Sequence, residues 1–235
     1  MRKTVQLDSE RMNYRFADAV DLTQVLTNGM PIYPGDPAPS FESYATIAKN
    51  GVNLTRLVLG SHTGTHTDAP KHFIVGGISV DEIPPSKLIG EAFVADLSQK
   101  PLGSGITASD LDSRIGRSIN RDDIVVCYTG CSEHWGDESV CKNYTYLTGE
   151  AAQYLVSKKV RAVGIDFLSV EKFGAKDPIA HKTLLGNGIY IIESISSSVR
   201  QFIGKRILLV CLPIKLGGGD GSPSRVVAVP IARDT

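Results

Sequence analysis

Segments rich in β-branched residues recur along the whole chain, while stretches that read as helix are few. This imbalance limits the fold more than any other feature. Strands are expected at 19–26, 41–48, 52–59, 92–97, 123–128, 162–166, 189–192, 207–214 and 225–229. The clearest helix is expected at 149–158, where Thr148 can serve as N-cap and Glu150 sits favourably in the first turn. A second is expected at 178–185, with Pro178 suited to a first turn and Gly186 or Gly188 to the stop. Strands that outnumber helices in irregular alternation predict a mixed α/β or α+β sheet rather than a regular doubly wound one.

Residues 1–14 are polar and aperiodic and read as a loose extension without chemistry. No low-complexity linker or internal repeat divides 15–235, so a single domain is the simplest partition. A chain of 235 residues with 42% apolar and 21% charged content can bury a full core. Lysine plus arginine and aspartate plus glutamate number 25 each, so no basic excess invites nucleic acid or anionic lipid, and a small-molecule partner is expected. The opening MRKTVQLDSERMNYRF lacks the apolar core of a signal peptide, and no apolar run reaches membrane-spanning length, so a cytoplasmic protein is expected. Cys127, Cys131, Cys141 and Cys211 lack CxxC spacing and read as reduced, partly buried thiols.

The chemistry concentrates in HTGTHTDAPKH, residues 62–72, which holds three of the five histidines. Imidazole and carboxylate together are the ligand set of a divalent metal such as zinc or manganese. In a straight strand His62, His66, Asp68 and His72 would share a face, but His62 and His66 would lie roughly 13 Å apart, about the limit for two imidazoles meeting at one ion. The chain must bend. Gly64 is the natural place, and its missing side chain is expected to leave room between the imidazoles. A helix is opposed by Gly64, three alternating threonines and Pro70, so a turn or distorted strand end is expected. His62, His66 and Asp68 form a three-ligand set with open positions, the arrangement of catalytic zinc; chance clustering and a structural ion are the competing readings. His72, beyond Pro70, suits a general acid/base.

Other candidates are weaker by position. His181 lies in the second helix, and Glu193, closing an apolar strand, reads first as a solvated terminus and second as an inward ligand. His134 reads as a surface or packing histidine. GGGDGSP at 217–223 lacks the ending of a phosphate loop and reads as a flexible loop at a sheet edge. YPGDP at 33–37 is a turn signal, and Tyr33 is either a packed aromatic or a substrate wall.

The pattern met by His62, Gly64, Thr65, His66, Asp68, Ala69, Pro70 and His72 resembles the signature of the cyclase family of metal-dependent hydrolases, which includes bacterial kynurenine formamidase. The resemblance extends over DLT at 21–23, YPGDP at 33–37, GID at 164–166, LSVEKFG at 168–174, His181 with Glu193, and CLPIKLGGGDGSPSR at 211–225. It implies a swivelling β/β/α fold, dimers or tetramers, and two divalent ions per chain, zinc or manganese. His62, His66 and Asp68 would bind the first ion, and Asp68 would bridge to a second held by His181 and Glu193. His72 would move the proton and Tyr33 would contact substrate. The implied activity is hydrolysis of an N-formyl aryl amide by a metal-activated water. Opening of a cyclic amide or lactone on the same site is the alternative, and a metal-stabilised binding module is a third reading. The chain departs from kynurenine formamidases, which place Trp at Tyr33 and Thr-Pro at Phe167 and Leu168.

Overall fold

A computed structural model describes residues 13–232. In chain order its elements are β1 (Asn13–Tyr14), β2 (Val20–Asp21), β3 (Ser40–Ala45), α1 (Ile47–Asn50), β4 (Leu54–Val58), β5 (His66–Asp68), β6 (Ile89–Asp96), β7 (Gly105–Ile106), α2 (Ala108–Ile115), β8 (Ile124–Tyr128), β9 (Tyr146–Leu147), α3 (Gly149–Lys158), β10 (Ala162–Ile165), α4 (Ile179–Gly186), β11 (Tyr190–Glu193), β12 (Arg206–Pro213) and β13 (Gly221–Ala232). The architecture is a mixed sheet with a few helices in one α+β domain, as expected. Among the described residues no helix is long and apolar enough to cross a membrane.

The main sheet has nine strands. β6, β8, β10 and β11 lie side by side and parallel, with α2, α3 and α4 in the crossovers between them. β12 and β13 extend the sheet antiparallel from β6. The three-residue β5 pairs antiparallel with β11 on one side and with β13 on the other, so the sheet closes on itself. β1 and β2 are added along β13. The β3–β4 hairpin is a separate sheet that leaves Tyr44, Leu54 and Leu57 exposed.

Alternate side chains of the central strands feed two cores. Ala92, Val94, Ile124, Val126, Ile192, Ile207 and Leu209 pack inside the closed sheet. Phe93, Ala95, Val125, Cys127, Val163 and Ile191 face outward and meet Leu111 and Ile115 of α2, Leu155 of α3 and Leu184 of α4. A strand covered on both faces is apolar at every position, which is why β8 reads IVVCY.

Several sequence expectations need correction. Residues 1–12 lie outside the described residues, but Asn13 and Tyr14, assigned to the extension, pair with Ala232 and Ile231. The strand expected at 19–26 contracts to Val20–Asp21, because Leu22 and Thr23 bond individually to Val226 rather than continuing the ladder. The helix α2 was not anticipated, although Thr107 and Asp110 form a capping box at its start and Leu111 and Ile115 lie on one face. The GGGDGSP segment is loop only as far as Asp220; from Gly221 it is β13, paired with β5. The helix α3 matches its expectation: the Thr148 hydroxyl accepts from Ala151 N at 3.2 Å.

Candidate metal centre

The closing strand β5 brings the motif to the rest of the site. Gly64, at φ +66°, turns the chain between His62 and His66. The space left by its missing Cβ is not between the imidazoles, however. A Cβ there would lie 2.5 Å from Leu26 Cδ2 and 3.1 Å from Met30 Cε, so glycine is required by the apolar packing behind the turn. The threonines of the motif bind the strand from its other side. Thr65 Oγ1 donates to Ser194 O at 2.6 Å and accepts from Gln24 N at 2.8 Å, while Thr67 Oγ1 and Ser224 Oγ are 2.8 Å apart.

Two groups of donor atoms meet around Asp68. His62, His66 and Asp68 form one, and Asp68, His181 and Glu193 the other, with all the ligand atoms of each group within 4.8 Å of one another. His66 stands opposite Glu193 across the β5–β11 ladder. Its Nδ1 donates to Gly64 O at 2.8 Å, a carbonyl that can only accept, so Nε2 is the atom left to face the carboxylates. That Nε2 lies 3.3 Å from Asp68 Oδ1 and 3.4 Å from Glu193 Oε2. His181 Nε2 lies 3.5 Å from Asp68 Oδ2 and 3.2 Å from Glu193 Oε1. Glu193 is 4% exposed, so the reading as a solvated terminus is wrong: the chain end of β11 points into the site, held by Val170 N donating to Oε1 at 2.6 Å.

The donor set fits a divalent cation. His66 Nε2 and Asp68 Oδ2 are buried without a hydrogen-bond partner, and among the described residues the ion pairs of Asp68 and Glu193 are all to histidines. Leaving such groups unpaired is costly, and a cation among them removes the cost. The proton affinities point the same way. Burial pulls the His66 imidazole down, yet the carboxylates of Asp68 and Glu193 that face its Nε2 override burial and push it up to about 10. His181 and His62 are likewise raised against burial, chiefly by Asp68. Burial raises Asp68, but the imidazoles of His181, His62 and His66 around it hold it well below the usual carboxylate range. Protons fill the place of the cation.

A cavity of about 410 Å³ opens onto these atoms. His62, His66, His72, His181 and Glu193 line its chemical end, and Ile32, Tyr33, Phe73 and Leu168 its apolar wall, with Asp36, Lys172 and Lys176 also lining it. Tyr33 packs on Phe173, ring centroids 5.6 Å apart, so it is both a packed aromatic and a cavity wall. Of the pair standing where kynurenine formamidases resemble one another in Thr-Pro, Leu168 lines the cavity, whereas Phe167 is fully buried against Tyr144 and Trp135. His72, in the short 3-10 turn Pro70–His72, is lowered by burial, with Asp68 and Glu193 opposing and His62 and His181 adding to the shift. His134 is exposed, and the four cysteines are free, with Cys127, Cys131 and Cys211 buried.

Two carboxylates of the site were missed. Glu171 accepts from Ala180 N at 2.9 Å, capping α4, and sits 3.5 Å from His181 Nδ1. Asp220 Oδ2 is 3.1 Å from His62 Nε2 and 3.4 Å from His72 Nδ1. Both lie inside segments carrying the family resemblance, LSVEKFG and the GGGDGSP loop, but no spacing rule ties either to a histidine.

A family model for the Cyclase family, described as putative cyclase, matches residues 20–172. The chain belongs to the Cyclase family. Kynurenine formamidase of Bacillus cereus is 30% identical over 213 residues, covering 90% of this chain and 97% of that protein. Among solved structures, a potential metal-dependent hydrolase with cyclase activity is 30% identical with a TM-score of 0.76, over 92% of this chain and 98% of that one. An isatin hydrolase bound to the product analogue thioisatinate is 25% identical with a TM-score of 0.83, over 92% of this chain and 93% of that one. The residues matched by the family model include His62, His66 and Asp68 and end before His181 and Glu193.

Proposed function

We propose that this cyclase-family chain is a metal-dependent amidohydrolase that converts an N-formyl aryl amide, N-formyl-kynurenine being the favoured case, to the aryl amine and formate. The observation that carries the reading is the pair of donor groups sharing Asp68 beside a cavity lined by His72. His62, His66 and Asp68 would hold one divalent cation and Asp68, His181 and Glu193 a second, and imidazole with carboxylate suits zinc or manganese. When bound, such a cation supplies Lewis acidity and lowers the pKa of water towards ~7.

The chain's own residues do the rest. His72, lowered by burial, is neutral at neutral pH and can take the proton of the attacking water. It then returns that proton to the amide nitrogen, which is too basic to leave as an anion. Tyr33, Phe73 and Leu168 give the aryl ring an apolar wall. The homologous kynurenine formamidase supports the formamide reading, and the isatin hydrolase supports a second, opening of a cyclic amide, for which Tyr33 and Leu168 in place of Trp and Pro leave a differently shaped wall. Two donor groups rather than one favour the first. Self-association into a dimer or tetramer goes with this reading, supported by the exposed apolar side chains of the β3–β4 hairpin; sedimentation would show a mass of at least twice 25.3 kDa.

Purified protein loaded with zinc or manganese should release formate from N-formyl-kynurenine and stop when the cation is chelated. His72→Ala should lower kcat about 10²–10⁴-fold while keeping its cation content. Loaded protein that opens isatin but leaves formamides intact would give the function to the second reading.

A further inference from the structure

Asp220 belongs to neither donor group that meets at Asp68, yet one of its oxygens faces both imidazoles at the rim of the site. Oδ2 is 3.1 Å from His62 Nε2 and 3.4 Å from His72 Nδ1. The two rings lie side by side, centroids 4.0 Å apart and planes 31° from parallel. This geometry decides what can join them. An ion must sit in the plane of each imidazole at about 2.0–2.1 Å from its nitrogen, and planes so nearly stacked do not meet that close to both rings. A carboxylate oxygen can accept the N–H of His62 and set its negative charge beside Nδ1 of His72 without lying in both ring planes.

The other nitrogen of His62 points elsewhere: Nδ1 is 2.9 Å from Asp68 Oδ1, on the side of the buried donor atoms. We propose that Asp220 is a positioning residue for both rings. By accepting Nε2–H it holds His62 in the tautomer whose Nδ1 lone pair faces the cation pocket. Its charge beside Nδ1 of His72 favours the tautomer protonated there and leaves Nε2 of that ring to exchange protons in the cavity.

The fold fixes this carboxylate in place. Ala69 N donates to Asp220 O at 3.0 Å, and the next residue, Gly221, begins β13 opposite Asp68. A Cβ at Gly221 would fall 2.7 Å from His62 Cε1 and 2.9 Å from Thr67 O, so its absence lets the His62 ring lie against the strand. Further back, Gly218 N donates to Asp81 Oδ1 at 2.9 Å and Lys71 Nζ donates to Gly218 O at 2.7 Å. A segment secured on both sides of Asp220 is suited to holding another group still.

The inference rests on the roles given above to His62 and His72, and its test reads cation affinity as well as turnover. In Asp220→Asn the zinc dissociation constant of the full chain should rise about 10–100-fold. At saturating zinc, kcat for formate release should fall about 10-fold or more with KM changed less than about twofold. That kcat loss should vanish in a His72→Ala background, which a merely structural role would not produce. Asp81→Asn, which loosens the same segment but leaves the Asp220 carboxylate, should keep the wild-type zinc affinity. Wild-type zinc affinity and kcat in Asp220→Asn would overturn the proposal, as would an equal loss from Asp81→Asn. A wild-type protein inert to formamides would retire the substrate reading alone, and the zinc titration would still decide the role of Asp220.

Discussion

His66 carries the electrostatics of the site in one ring. Its Nδ1 is committed to Gly64 O, and its Nε2 faces two buried carboxylates that a proton or a cation must offset. The sign of the resulting pH dependence follows directly. The imidazole titrates at about 10 in the folded, cation-free chain against 6.5 without the fold, so its stabilising contribution is complete below about 6.5 and is lost as the pH rises towards 10. His62 and His181 are shifted in the same direction. Calorimetry in EDTA should therefore show Tm falling between pH 6.5 and 10. Zinc should flatten that slope, because the cation takes over from the protons. At this scale the sequence was informative where residue type alone limits the chemistry. Three histidines and an aspartate in eleven positions point to a metal site, against chance clustering as the competing reading. It was silent where role depends on who is opposite: Glu193 looked solvated until β11 was seen to lie against β5, and Asp220 looked like loop.

Among the elements, the turn before β5 has the least room for change. Gly64→Ala would place a methyl against Leu26 in a left-handed backbone, and should destabilise the chain by about 1–3 kcal/mol in urea unfolding. Thr148→Ala, which removes only a hydroxyl cap from α3, should cost about 1 kcal/mol. Strands β8, β10 and β11 were legible because burial on both faces leaves an unbroken apolar run, β12 because its β-branched and leucine run alternates between buried and half-buried, and α3 because its cap and first turn agree. The helix α2 was missed because its mean composition is polar, ASDLDSRI, and only Leu111 and Ile115 are buried. β13 was underestimated at both ends, since Gly221 and Pro223 read as turn residues although their neighbours in β5 draw them into the ladder. The reason for Gly64 was also misread: the bend was visible in the sequence, but the side chains crowding it, Leu26 and Met30, come from a distant segment.

For the molecule as a whole, the site is a product of sheet closure. His62 to His72 and His181 to Glu193 are far apart in sequence and meet only because β5 inserts between β11 and β13. Cation removal should therefore weaken the entire fold. At a cation concentration 100 times its dissociation constant the linkage is worth about 2.7 kcal/mol, or roughly 5–10 °C in Tm for a chain of this size. Differential scanning of the EDTA-treated protein against the zinc-loaded protein at pH 7 measures it, and equal melting temperatures would mean that the donor groups hold nothing. The mixed sheet and the single domain were legible from the order of elements. The closure was not, because a three-residue strand leaves no periodicity to detect.

That short strand closes the sheet at the place where Asp68 and Glu193, each repelling the other's charge, lie in the dry interior. Closing the seam and neutralising it are thus coupled, and positive charge inside the ring, carried by protons or by a cation, lowers the cost of completing it.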